Sequence, residues 1–118
     1  MNTNNKYIQQ INKKLQSLNP YLILLFGSYA YGSPHDDSDI DLLVVTNDNF
    51  MPQNFQEKTE IYLKIKQQIR EINKQVAIDL LVYTIPMYQK FIELNSSFAR
   101  EIINKGKILY ESNNTTMA

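Results

Sequence analysis

The stretch that most constrains this chain is Gly27-Ser28, ten residues numbered 29–38, and then Asp39-Ile40-Asp41, set between the apolar runs Tyr21 to Phe26 and Leu42 to Val45. Both runs are short, aliphatic and bounded by turn residues, the pattern of buried strands. In an extended segment side chains alternate between faces, so Asp39 and Asp41 are expected to share one face roughly 6.6 Å apart along the strand. Two carboxylates that close repel each other and are expensive to desolvate. A bound divalent cation is the usual reason for such a pair beside a hydrophobic strand. A strand running into Gly27-Ser28 and then a short helical turn would also offer backbone N–H groups and a hydroxyl to an anion. A phosphate and a metal are therefore expected to meet here.

The rest of the composition narrows the class. A chain of 118 residues with 43% hydrophobic content supports one domain with a modest core. We assign that domain to residues 1–111 and read residues 112–118 as a disordered tail. Lysine plus arginine and aspartate plus glutamate each number 12, so no global field attracts nucleic acid, and basic residues must act locally on phosphates. The absence of cysteine removes disulfides, thiolate zinc sites and a cysteine nucleophile, and suits a cytoplasmic location. The polar start Met1 to Lys6 has no signal-like apolar segment, and Tyr21 to Phe26 is too short to span a bilayer.

Along the chain, Tyr7, Ile8, Ile11, Leu15 and Leu18 recur at helical spacing and predict an amphipathic helix over 5–18, ended by Asn19-Pro20. Ser28 to Tyr31 is expected to form a helical turn, and 32–37 a loop. His35, the sole histidine, stands beside proline and aspartate and reads as a solvated loop residue, as do Asp36 and Asp37. The pattern Asp37-x-Asp39-x-Asp41 opens like a calcium loop, but Leu42 occupies the position that needs glycine and the chain continues apolar. Phe55, Tyr62, Ile65, Ile69 and Ile72 predict one long helix over 55–73, with Lys58, Lys64, Lys66, Arg70 and Lys74 on its other positions. Val76 to Thr84 reads as an interior strand interrupted by Asp79. A carboxylate there costs several kcal/mol unless paired, hydrogen-bonded or metal-bound. It is either an acid at the sheet rim or a third carboxylate facing Asp39 and Asp41. Pro86 suits a helix start, Ser96 or Ser97 caps a further helix ended by Gly106, and Lys107 to Tyr110 makes a last short strand before a frayed end from Glu111.

The wording Gly-Ser-Tyr-Ala-x-Gly followed by Asp-Ser-Asp-Ile-Asp-Leu-Leu-Val resembles the nucleotidyltransferase superfamily built on the polymerase-β-like core, whose signature is Gly-Ser, a spacer and Asp-x-Asp. It is most similar to the minimal nucleotidyltransferases, small bacterial and archaeal proteins often paired as antitoxins with a HEPN-domain partner. The resemblance implies an α/β fold with a small mixed sheet and flanking helices. It implies two Mg²⁺ ions held by Asp39, Asp41 and Asp79, with Gly27 and Ser28 on the phosphates of ATP. It implies transfer of AMP from ATP to a hydroxyl of a partner protein, a HEPN ribonuclease toxin, in a hetero-oligomer. Independently, one small domain offers little wall beyond its phosphate and metal contacts, so a second wall is expected from the partner, against surface groups such as Tyr88 and Phe98. One departure stands out: many relatives carry arginine where this chain has Tyr31, and a neutral phenol is no charge clamp. Two alternatives follow, an antitoxin that neutralises by binding alone, and a transferase acting on an aminoglycoside-like small molecule.

Overall fold

The computed structural model describes residues 5–34 and 38–112. His35, Asp36, Asp37 and the segment 113–118 lie outside the described residues, as does everything expected of them. The elements in order are α1 (Lys6–Gln16), β1 (Leu22–Phe26), α2 (Ser28–Tyr31), β2 (Ile40–Val45), α3 (Phe55–Gln68), α4 (Arg70–Asn73), β3 (Ile78–Tyr83), α5 (Ile85–Leu94), α6 (Ser97–Lys105) and β4 (Lys107–Glu111).

The strands form one sheet in the order β3-β2-β1-β4. β1 runs antiparallel to both β2 and β4, while β2 and β3 are parallel, so the sheet is small and mixed with helices flanking it. Ile23, Leu25, Leu42, Val44, Ile78 and Leu80 pack with α1, α3 and α4 through Ile8, Ile11, Leu15, Ile65, Ile69 and Ile72. Leu22, Leu24, Phe26, Leu43 and Val45 pack on the other side with Ile102, Tyr88 and Phe91 of the α5–α6 layer. Cover on both faces is why β1, and β2 from Leu42 to Val45, read as apolar runs rather than as alternating ones. Each buried Leu or Ile contributes about 1.5–3 kcal/mol, and this sandwich fixes the strand ends that carry the acids.

Several local details follow from side-chain chemistry. The Asn5 side chain accepts from the backbone N–H of Tyr7 and Ile8 and starts α1. Ser96, not Ser97, caps α6, its hydroxyl accepting from Ala99 N–H at 3.0 Å. The helix expected over 55–73 is broken at Ile69, whose φ of −112° and ψ of 16° leave the helical region. Its N–H bonds to the Lys66 carbonyl, tightening the turn. Ile65, Ile69 and Ile72 all stay in the core across the break, and beyond it the Asn73 Oδ1 accepts from Ile78 N–H at 3.1 Å. Glu111, expected to begin a frayed end, instead closes β4 against Leu22, and Ser112, read as the first residue of the tail, donates its N–H to the Tyr21 carbonyl at 3.0 Å. Tyr88 stacks on Phe91, and Phe98 meets Phe26 edge-on with centroids 5.8 Å apart. Among the described residues no helix is long and apolar enough to cross a membrane.

Candidate active site

Parallel pairing of β2 with β3 puts Asp41 and Asp79 in register as Cα partners. Asp41 shares a face with Leu43 and Val45, and Asp79 shares the same face with Leu81 and Tyr83. Asp39 stands one residue before β2, exposed, as is Asp79, while Asp41 is half-buried. The Asp41 carboxyl is pushed up to about 6, first by desolvation and then by the negative charges of Asp79 and Asp39. The structure thus brings all three acids into one electrostatic neighbourhood at the sheet rim. Of the two readings of Asp79, a rim position and proximity to the other acids both hold.

Gly27 ends β1 and caps α2 with φ 74° and ψ −162°, a region closed to side chains. A Cβ built there would strike the Asp41 carboxylate, with Asp41 Cγ 2.9 Å away. The phosphate-loop candidate and the acid candidate are therefore in direct contact. The Gly27 carbonyl accepts from Ala30 and Tyr31 N–H, each at 3.0 Å, and the Ser28 carbonyl accepts from Gly32 and Ser33 N–H, each at 3.1 Å. These bonds wind α2 into a single turn, whose first amides, Ser28 and Tyr29, have no intrahelical acceptor.

Sequence reasoning missed the far side of this rim. The Tyr31 hydroxyl donates to Glu101 Oε2 at 3.1 Å, and the Lys105 ammonium lies 5.8 Å from the Tyr31 ring centroid. Burial raises the Tyr31 phenol pKa, helped by its bond to Glu101 and by the charges of Glu101 and Asp41. A cation thus stands beside Tyr31, the position at which the family resemblance leads one to expect arginine. Nothing in the sequence ties Lys105 to Tyr31, because a lysine in the last turn of α6 reads only as a complement to the helix dipole.

The donor set can be tested against a metal ion. Asp39, Asp41 and Asp79 offer hard oxygen atoms, the chemistry Mg²⁺ prefers, and their repulsion in the ion-free chain is what a cation relieves. Among the described residues no three acidic or histidine side chains are gathered tightly enough to hold an ion by themselves. That suits Mg²⁺, which keeps several waters and takes one or two carboxylates together with substrate phosphate oxygens. The donor chemistry fits the ion, while the carboxylates as placed do not form a site by themselves.

Comparison with known proteins agrees with this geometry. Residues 9–115 match the family model described as "Polymerase beta, Nucleotidyltransferase". The chain is 33% identical over 88 residues, 75% of itself and 76% of the relative, to a Methanocaldococcus jannaschii protein named "Putative protein adenylyltransferase". It is 35% identical over 86 residues to a second protein so named from the same organism, covering 71% of itself and 73% of the relative. A solved structure described as "Crystal structure of the toxin-antitoxin with AMP-PNP" shares the fold, with a TM-score of 0.52, 24% identity, and coverage of 92% of this chain and 77% of that one. Spanning nearly the whole chain, the family match identifies it as a member of the polymerase beta nucleotidyltransferase family.

Proposed function

We propose that this chain transfers AMP from ATP to a hydroxyl of a partner protein, that the transfer depends on Mg²⁺, and that the partner is a HEPN ribonuclease toxin for which this chain is the antitoxin. The observation that carries the chemistry is the register of Asp41 with Asp79 beside a Gly27 that admits no side chain. The relatives' names support a protein acceptor. The toxin-antitoxin pairing of a protein of like fold, holding an ATP analogue, supports the partner.

Bound Mg²⁺ would be held by Asp39, Asp41 and Asp79 and would offset charge on the phosphates and on the attacking and leaving oxygens. The Ser28 hydroxyl and the amides of Ser28 and Tyr29 bind the β- and γ-phosphates, and Gly27 lets them approach the backbone. Asp79, exposed on the open edge strand, takes the proton of the acceptor hydroxyl, directly or through water. The acceptor oxygen forms a bond to the α-phosphorus, the bond from that phosphorus to the bridging oxygen breaks, and pyrophosphate leaves. Lys105 supplies the cation that Tyr31 cannot.

Co-expression with the adjacent gene product, pull-down and intact-mass measurement test the reading. A partner that gains AMP only when Asp39 and Asp41 are intact supports it. A stable complex with an unmodified partner favours the binding-only antitoxin, the reading Tyr31 would favour if Lys105 played no part.

Two smaller effects separate the roles. Asp79→Asn is expected to lower turnover roughly 10²-fold while ATP affinity changes little, since loss of a proton acceptor acts on the transition state. Equal losses in both would move Asp79 into the nucleotide site. Lys105→Ala is expected to raise the KM for ATP roughly 10-fold, the worth of one charge-assisted contact, with Lys105→Arg near wild type. An unchanged KM in the alanine variant would remove Lys105 from nucleotide binding.

A further inference from the structure

The two edges of the sheet are built differently. β4 carries Lys107 and Glu111 at its ends, and its pairing with β1 slips between Ile23 and Leu24, both devices that discourage a further strand. β3, Ile-Asp-Leu-Leu-Val-Tyr, has no lysine, no proline and an unbroken register with β2. Ile40 N–H bonds to the Ala77 carbonyl, and Thr46 N–H to the Tyr83 carbonyl. Odd-numbered residues of β3 therefore turn their backbone groups toward β2, and even-numbered ones turn theirs outward. The first outward N–H, that of Ile78, is taken by Asn73. Among the described residues, no group pairs with the outward N–H and C=O of Leu80 and Val82.

Beside this edge, Phe55, Tyr62 and Leu63 of α3 face Leu80 to Tyr83 across a groove of about 590 Å³. Phe55 is 81% exposed and Leu63 50%. The one charged residue lining this groove is Lys58, and the hollow that follows along α3 and α4 is lined by Lys66, Arg70 and Lys74, with no acid in either. Lys74 is paired with Glu71. The surface is thus an apolar trough with positive flanks and an unpaired strand, and Asp79 adjoins its Leu80 end on the other face of β3.

The geometry points to this edge as the docking site of the acceptor polypeptide, bound as an added strand on β3. The inference rests on the adenylyltransferase reading and names how its substrate is presented. A strand hydrogen-bonded to Leu80 and Val82 would place a side chain opposite Asp79, on the Asp79 face, about 4.5–5.5 Å between Cβ atoms. A serine, threonine or tyrosine there brings its hydroxyl to the acid that takes its proton. Alternation sends the neighbouring side chains to the opposite face, into the trough beside Leu63 and Phe55, so they are apolar. Acidic residues beyond them meet Lys66 and Arg70. The acceptor is therefore an extended segment with a hydroxyl residue between apolar ones and an acidic end.

The probe is a short synthetic peptide with one tyrosine flanked by valine and leucine and with glutamates at one end, made in both polarities. In the isotopically labelled full chain it is expected to shift the amide resonances of Leu80, Leu81 and Val82. With Mg²⁺ and ATP the tyrosine gains AMP. Val82→Pro deletes one outward N–H at a position where an edge strand tolerates proline. It is expected to raise the KM for the peptide at least ~10-fold, while the melting shift given by Mg²⁺·ATP stays at the wild-type value. Arg70→Glu, an exposed change that leaves the core alone, is expected to weaken the acidic peptide and to favour one ending in lysine. Val82→Pro and Arg70→Glu chains that modify the acceptor with unchanged KM, or resonance shifts confined to another surface, overturn the docking site. So does displacement of the peptide by a single-stranded RNA that shifts the same amides more strongly. Shifts at β3 with no AMP gained, together with a wild-type melt indifferent to Mg²⁺·ATP, leave the docking edge standing and refute the transferase reading.

Discussion

Asp41→Asn is expected to abolish AMP transfer, by roughly 10³-fold or more, and at the same time to give a more stable protein. The loss follows from removing the half-buried member of the acid set, where charge on the reacting phosphate must be balanced, at a cost of about 4 kcal/mol. The gain follows from its pKa. The folded carboxyl protonates at about 6 and the ordinary value is 3.8, so between these limits the native state holds the extra proton. Stability is then greatest below the ordinary value, falls as pH rises to about 6 and stays flat above it. Two units at full weight would approach 3 kcal/mol, but Asp41 is only half-buried, and solvent screening reduces this to about 1 kcal/mol. Asparagine removes that penalty. The variant should melt roughly 4 °C above wild type at pH 8 and together with it near pH 4. Excess Mg²⁺·ATP, at about 100 times its Kd, should stabilise wild type by about 2.7 kcal/mol and the variant far less. Thermal melts across pH, with and without Mg²⁺·ATP, read both effects. A variant that melts below wild type at pH 8, or that keeps its nucleotide response, would be incompatible with repelling acids that share a cation.

What could be read from the sequence were features that burial or local chemistry writes into neighbouring residues. Leu22 to Phe26 and Leu42 to Val45 are covered on both faces, so their apolar runs are continuous and easily seen. Gly27-Ser28 and the acids after the spacer were legible as a pattern, and Asp79 because a carboxylate in an apolar strand needs a reason. What the sequence left open was pairing. Whether β3 lies beside β2, in parallel, with Asp79 opposite Asp41, depends on contacts between residues far apart in the chain. The same holds for Tyr31 with Glu101 and Lys105. The break at Ile69 was hidden because Ile65, Ile69 and Ile72 keep a helical spacing across it. Glu111 escaped assignment to the strand read over Lys107 to Tyr110 because an exposed, charged residue at the end of an edge strand carries no apolar signal of its own.

Gly27→Ala is expected to be the most damaging single change outside the acids, for two separable reasons. With φ 74° and ψ −162°, any side chain strains the backbone by about 1–3 kcal/mol. The new methyl also collides with the Asp41 carboxylate, which must shift away from Gly27, toward the β3 side where Asp79 stands, or push β1 from β2. Together these should cost about 2–4 kcal/mol and lower the Tm by on the order of 10 °C. Transfer measured at a temperature where the variant is folded should still fall by roughly 10²-fold, because the carboxylate is displaced. Gly32 provides the comparison. It also has positive φ, 87°, but a Cβ there meets nothing within 4 Å. Gly32→Ala should cost only the conformational term, about 1 kcal/mol, and leave transfer near wild type. Adding Asp41→Ala to Gly27→Ala removes the collision and keeps the strain. The double variant should be more stable than the sum of the single changes predicts by about 1 kcal/mol or more. Strict additivity in that cycle would mean that the Asp41 carboxylate is not pressed against Gly27, and the contact that joins the phosphate loop to the acids would be lost with it.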